Sequence, residues 1–127
     1  MAKVNTKTKF SKIYRLSQKK TGIFFKNKKR YDLSTSTLIC QYWNEGHVST
    51  PIYLKENLFI TEHGSWILYG QGGSETKYGK KLPNGNYIEG SQFIVLTRIQ
   101  AYEYLESIGS IDDILVDKYF IDIVTDG

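Results

Sequence analysis

IYLKENLFIT (residues 52–61) and SWILYG (residues 65–70), with only Glu62-His63-Gly64 between them, decide the fold. Both runs are rich in β-branched and aromatic residues, which fit a pleated, half-buried surface. Three residues ending in glycine suffice to reverse the chain, so the pair reads as an antiparallel hairpin. Trp66 is expected to pack this hairpin.

Working outward, TLICQYW (37–43) has the composition of a buried strand and stops at Asn44-Glu45-Gly46. The polar STST before it favours a turn, because hydroxyl side chains compete for backbone hydrogen bonds. Nearer the N-terminus, KIYRLS (12–17) and GIFFK (22–26) flank the turn-like QKKTG and read as a further hairpin. On the other side, Gly70-Gln71-Gly72-Gly73 reads as a break in regular structure. The stretch through Asn84-Gly85-Asn86 to Gly90 reads as a long irregular loop, and QFIVL (92–96) as one more strand.

The C-terminal quarter changes period. Thr97 reads as a helix N-cap, with Gln100 completing a capping box. Arg98, Ala101, Tyr102, Leu105 and Ile108 follow at helical spacing, and Gly109 is a stop. A second helix is expected to begin at Ser110, with Asp112 and Asp113 at its positive dipole end. Ile111, Ile114, Leu115 and Phe120 would face inward. The fold class is therefore α+β, a small antiparallel β-sheet with C-terminal helices packed on one face.

A chain of 127 residues is the size of one domain, so residues 1–127 are read as a single unit with residues 1–30 as a basic N-terminal arm. No apolar run reaches the roughly 20 residues of a membrane helix, and the N-terminus lacks the pattern of a secretory signal. A single cysteine, Cys40, excludes an internal disulfide framework and fits a reducing cytoplasm.

The net charge of +4 hides a strong asymmetry. Residues 1–30 hold nine Lys and two Arg without an acid, a charge of +11, while residues 31–97 come to −2 and residues 98–127 to −5. Such a block reads as an interaction arm or a partly disordered tail, or as a segment lying against the acidic C-terminal region of its own fold. Its Lys and Arg suit nucleic-acid phosphate, and the interleaved Phe10, Tyr14, Phe24, Phe25 and Tyr31 suit base stacking. Ile13, Leu16, Ile23 and Phe24 read equally as the core of a strand pair beneath a solvated basic face.

Reactive chemistry is poorly represented. Cys40, His47 and His63 lack the spacing of a zinc site, and a thiol inside an apolar strand behaves as a small hydrophobe. Gly70–Gly73 is followed by SETKYGKK, not by the Gly-Lys-Ser/Thr of a phosphate loop. The acids Glu103, Glu106, Asp112, Asp113, Asp117, Asp122 and Asp126 read as solvated helix faces or as a phosphate-like surface. No catalytic residue, metal or cofactor is expected, so the reading is a binder and not an enzyme.

From residue 29 onward, KRYD (29–32), LICQYWNEG (38–46), ITEHGSWILYGQGG (60–73), Tyr78, the Gly85–Gly90 loop and FIVLTRIQAYEYLESIG (93–109) form a recognisable order. That order resembles a group of small proteins carried by phages, plasmids and other mobile genetic elements of Gram-positive bacteria, with a G-x-W-x-L-x-G-x-G-G hairpin. The first 28 residues depart from the pattern by adding the basic arm. The resemblance implies an anti-CRISPR function: a non-enzymatic inhibitor in the bacterial cytoplasm that binds type II-A Cas9 or its guide-RNA complex. It would block DNA binding or cleavage. The alternative is a general nucleic-acid-binding module using the arm. Lys19, Lys20, Lys26, Lys28, Lys29 and Arg30 are the candidates for phosphate or acidic-surface contact. Tyr69, Tyr78, Lys80 and Tyr87 are the candidate interface residues of the glycine-rich region, since aromatic anchors dominate binding energy.

Overall fold

Five antiparallel strands build the main sheet of the computed structural model, which describes residues 3–4 and 22–127. In chain order the strands are β1 (Lys3–Val4), β2 (Ile23–Lys26), β3 (Lys29–Asp32), β4 (Thr37–Trp43), β5 (Leu54–Ile60), β6 (Trp66–Gly72), β7 (Lys80–Lys81), β8 (Tyr87–Ile88) and β9 (Gly90–Leu96). The main sheet runs β1-β4-β5-β6-β9, while β2-β3 and β7-β8 are separate two-stranded ribbons.

The hairpin read from residues 52–70 is present, with unbroken register from Leu54↔Gly72 to Ile60↔Trp66. Thr61 closes its turn: its backbone N–H donates to the Ser65 carbonyl at 2.8 Å, and its hydroxyl accepts from the Ser65 N–H at 3.0 Å. The expected break at residues 70–73 is not there, because β6 continues through Gly70, Gln71 and Gly72. Gly70 is instead a site of close approach. The Tyr78 ring occupies the space that a β-carbon on residue 70 would need.

The sheet is covered on both faces, which explains why β5 and β6 are buried along nearly their whole length. On one face lie the C-terminal helices. Helix α1 (Arg98–Ser107) opens on the Thr97–Gln100 capping box, and Gly109 (φ 70°) closes it. The Ser110 N–H reaches the Leu105 carbonyl and the Gly109 N–H the Glu106 carbonyl, a Schellman closure. The second helix therefore starts later than Ser110. Asp112 caps it by accepting from the Leu115 N–H, and α2 (Asp113–Leu115) runs into a π-helical turn, Val116–Phe120.

Trp66, Leu58, Leu68, Cys40, Ala101, Leu105 and Phe120 form the core of this layer, and Trp66 stacks on Phe120 at 5.3 Å. Each fully buried large side chain contributes about 1.5–3 kcal/mol through lost apolar exposure. Ile111 and Leu115 lean on that core, but Ile114 does not face inward; it is 75% exposed. Leu115, Tyr119 and Phe120 share the inward stripe, and one residue earlier in a helix lies roughly 100° away.

The β2-β3 ribbon covers the other face, with Tyr31, Leu33, Phe59, Ile67 and Tyr69 at its centre and Phe24 and Phe93 packed against them. One half of the hairpin expected between residues 12–17 and 22–26 lies outside the described residues; Ile23–Lys26 pairs with Lys29–Asp32. Asn27 and Lys28 supply the turn with φ of 51° and 65°, the left-handed pair a two-residue hairpin turn requires. Leu33–Thr35 forms a 3₁₀ turn where the polar STST predicts one, with Asp32 accepting from the Ser34 N–H at 2.9 Å. No helix among the described residues is long and apolar enough to cross a membrane.

Candidate functional site

The ribbon gathers the charge that the sequence spreads along a segment. Lys26, Lys28, Lys29 and Arg30 are all exposed at or beside its tip, and Phe25, opposite Arg30 in the register, is 74% exposed. Alternation along a strand explains the division of labour. Phe24 and Tyr31 turn inward and stack at 5.0 Å, with Phe24 also lying on Phe93 at 4.4 Å. Phe25, one residue on, is left outside.

Arg30 approaches Asp32 at 3.6 Å, a loose exposed pair. Asp32 is held below the ordinary carboxyl range mainly by the hydroxyl and N–H of Ser34. Among the described residues, Lys26, Lys28 and Lys29 form no ion pair. Lys19 and Lys20 lie outside the described residues. The basic arm expected over residues 1–30 thus ends in a folded ribbon at Ile23–Arg30, not in a loose tail.

Two recesses flank the ribbon. One, of about 360 Å³, lies between Lys29–Asp32 and the β5–β6 turn, lined also by Thr61, Glu62, His63 and Ser65. The other, of about 420 Å³, lies between Ile23 and the start of β9, lined by Tyr53, Tyr69, Gln71, Glu89, Ser91 and Phe93. Gln71 donates through Nε2 to the Tyr53 hydroxyl at 2.6 Å. Burial raises the Tyr53 phenol above its ordinary value, and the Gln71 bond opposes that.

Of the candidates in the glycine-rich region, Lys80 and Tyr87 are exposed on the β7-β8 ribbon, where Lys81 pairs with Tyr87. The region is therefore less irregular than its composition implies. Tyr78 is not an accessible anchor: it is 5% exposed, and its hydroxyl donates to Glu56 Oε2 at 2.5 Å. Tyr69 is buried to 8% exposure but keeps an edge on the second recess.

Glu56 is the residue that sequence reading missed. It sits inside a strand-like run with no local sign of burial, yet its side chain is only 3% exposed. Tyr104 donates to Oε1 at 3.0 Å, Tyr78 to Oε2, and Lys77 meets Oε2 at 2.7 Å. Burial first, and the neighbouring carboxylate after it, push both phenols well above the usual tyrosine range. Burial and then Glu56 push the Cys40 thiol up to about 12. These groups fasten the loop after β6 and helix α1 to the sheet, and none of them lines a recess described above.

His47 and His63 stand in the loops before and after β5, with His47 Nδ1 bonded to Ser49 Oγ at 2.7 Å. Among the described residues no three His, Cys, Asp or Glu side chains come together in a metal-binding arrangement. On the ribbon face, Gln41 and Asn57 are register partners, both fully buried. Among the described residues neither amide has a hydrogen-bond partner.

No protein-family model, curated protein or solved structure matches the chain. The cationic ribbon and its two recesses stand on their own chemistry.

Proposed function

We propose that this chain is a non-enzymatic binding protein whose β2-β3 ribbon contacts nucleic-acid phosphate. The observation that carries the reading is the exposed Phe25 set among Lys26, Lys28, Lys29 and Arg30 on a two-stranded tip. Lysines that form no ion pair among the described residues release counterions on meeting phosphate, and an exposed aromatic beside them offers a stacking platform.

The acids of the C-terminal region favour a finer version. Glu103, Glu106, Asp112, Asp113, Asp117, Asp122 and Asp126 are all exposed, and they follow helices on the sheet face opposite the ribbon. Among the described residues the ion pair formed by any of them is Asp122 with Arg98, and none of them meets the ribbon cations. A ribonucleoprotein offers phosphate to one face and basic protein surface to the other. Inhibition of a type II-A Cas9–guide RNA complex in the bacterial cytoplasm, by a protein from a mobile element, is that version of the proposal.

Two measurements test it. Affinity for a short RNA is followed from low to moderate salt, for the protein and for Lys26→Glu/Lys28→Glu/Lys29→Glu. Steep salt dependence that flattens in the triple variant supports the ribbon, and affinity that is equal in both proteins or indifferent to salt removes it. Co-elution with Cas9, loaded and unloaded with guide RNA, and DNA cleavage by the mixture test the finer version. Full cleavage without co-elution across several type II-A effectors would discard it.

A further inference from the structure

We infer that the recess between the base of the cationic ribbon and β9 holds an unpaired nucleobase, so that the nucleic acid recognised is single-stranded. This rests on the phosphate-binding reading of the adjacent ribbon and adds the part of the ligand that the ribbon does not explain.

The recess has the composition of a base pocket. Its volume of about 420 Å³ falls in the range of small-ligand sites. Tyr69 and Phe93 lie at 4.6 Å and 39° to one another along one wall, and Phe24 stacks behind Phe93. That mutual packing holds the aromatic wall in place, so contact with it carries no further ordering cost. Three residues with polar side chains of different kinds line the same space: Gln71, a carboxamide, Ser91, a hydroxyl, and Glu89, a carboxylate. One end of the Gln71 amide is engaged by Tyr53, which orients the side chain and, among the described residues, leaves its other end for a ligand.

That set matches the edge of a base. Carboxamides and hydroxyls pair with neighbouring donors and acceptors in one plane, and a carboxylate accepts from an exocyclic amino group. A duplex hides these edges, whereas an unpaired base can be splayed into a pocket and stacked. Ile23, the first residue of β2, lines the recess, so a strand whose phosphates follow the ribbon passes its mouth. Glu89 disfavours a bare phosphate there and favours a base with an amino group, cytosine over uracil.

The probes are a twelve-nucleotide oligocytidylate, an abasic strand of the same length, oligouridylate and cytidine monophosphate. Stacking of even one base is worth roughly 5- to 150-fold in affinity. The protein is expected to bind oligocytidylate at least about tenfold tighter than the abasic strand and more tightly than oligouridylate. Gln71→Leu and the exposed Glu89→Ala should each narrow that ratio to a few-fold while leaving the salt slope intact. Equal affinity for base-bearing and abasic strands, still steeply salt-dependent, overturns the pocket and leaves the ribbon standing. Absence of binding to every strand at low salt overturns both. Cytidine monophosphate binding as tightly as the oligonucleotide overturns the assignment to a strand.

Discussion

The ring of Tyr78 lies where the β-carbon of residue 70 would be, which allows its hydroxyl to reach Glu56 beneath the loop. A glycine in mid-strand usually weakens a sheet. Here it admits the side chain that seals a buried carboxylate.

Gly70→Ala should therefore be severe. The methyl must expel the Tyr78 ring, adding an overpacking cost of about 1–3 kcal/mol to the loss of a hydrogen bond to a carboxylate, about 1.5–3 kcal/mol. Tyr78→Phe loses the second part alone. Urea unfolding should place Gly70→Ala below Tyr78→Phe, and a Gly70→Ala midpoint equal to wild type would refute the close approach.

Alkaline pH should unfold the protein early. Cys40 rises from 9.0 to about 12, and the Tyr78 and Tyr104 phenols rise from 10.0. Their folded values lie above the unfolded ones, so the unfolded chain loses these protons first. The stability they contribute is complete below about pH 9 and declines as pH climbs toward the folded values. Urea midpoints between pH 7 and 11 should fall across that window. Tyr104→Phe, less stable at neutral pH for want of its bond to Glu56, should show a shallower decline.

The row of buried amides should respond to apolar replacement. Gln41 and Asn57 are fully buried with no partner for either carboxamide among the described residues, and such groups cost about 1–3 kcal/mol each in mutational data. Gln41→Met and Asn57→Leu, close in volume, are expected to raise the unfolding free energy. A loss of more than about 1 kcal/mol in both would show that these amides are bonded in solution.

Phe25→Ala separates fold from function. At 74% exposure the ring makes little core contact, so stability should stay within about 0.5 kcal/mol of wild type. Single-strand affinity should fall by about 5- to 150-fold, the worth of one stacking contact. The slope of affinity against salt should not change, because no charge is removed. Fluorescence anisotropy at two salt concentrations reads both effects.

The main hairpin, the strand at residues 37–43, the strand at 92–96 and the capped helix were legible because their signals are local. Period-two alternation, a hydroxyl cap and a terminal glycine act between residues a few positions apart. The Asn27-Lys28 turn escaped because lysine rarely takes positive φ. The sheet pairing of Gly70–Gly72 escaped because the reason for those glycines, Tyr78, arrives only after the loop folds back. The basic residues of the ribbon were legible as charge, but not as a cluster around Phe25.

By itself the sequence determined an antiparallel sheet, a C-terminal helical layer and opposite charges at the two ends, since composition and short-range period suffice for these. Tertiary structure decided which residues meet: Glu56 with Tyr78 and Tyr104, 22 and 48 positions away, and the recess that joins Ile23 to Glu89. Such contacts depend on which strands become neighbours and which face covers them. Burial and cross-strand distance are properties of the assembled sheet, and no local pattern encodes them.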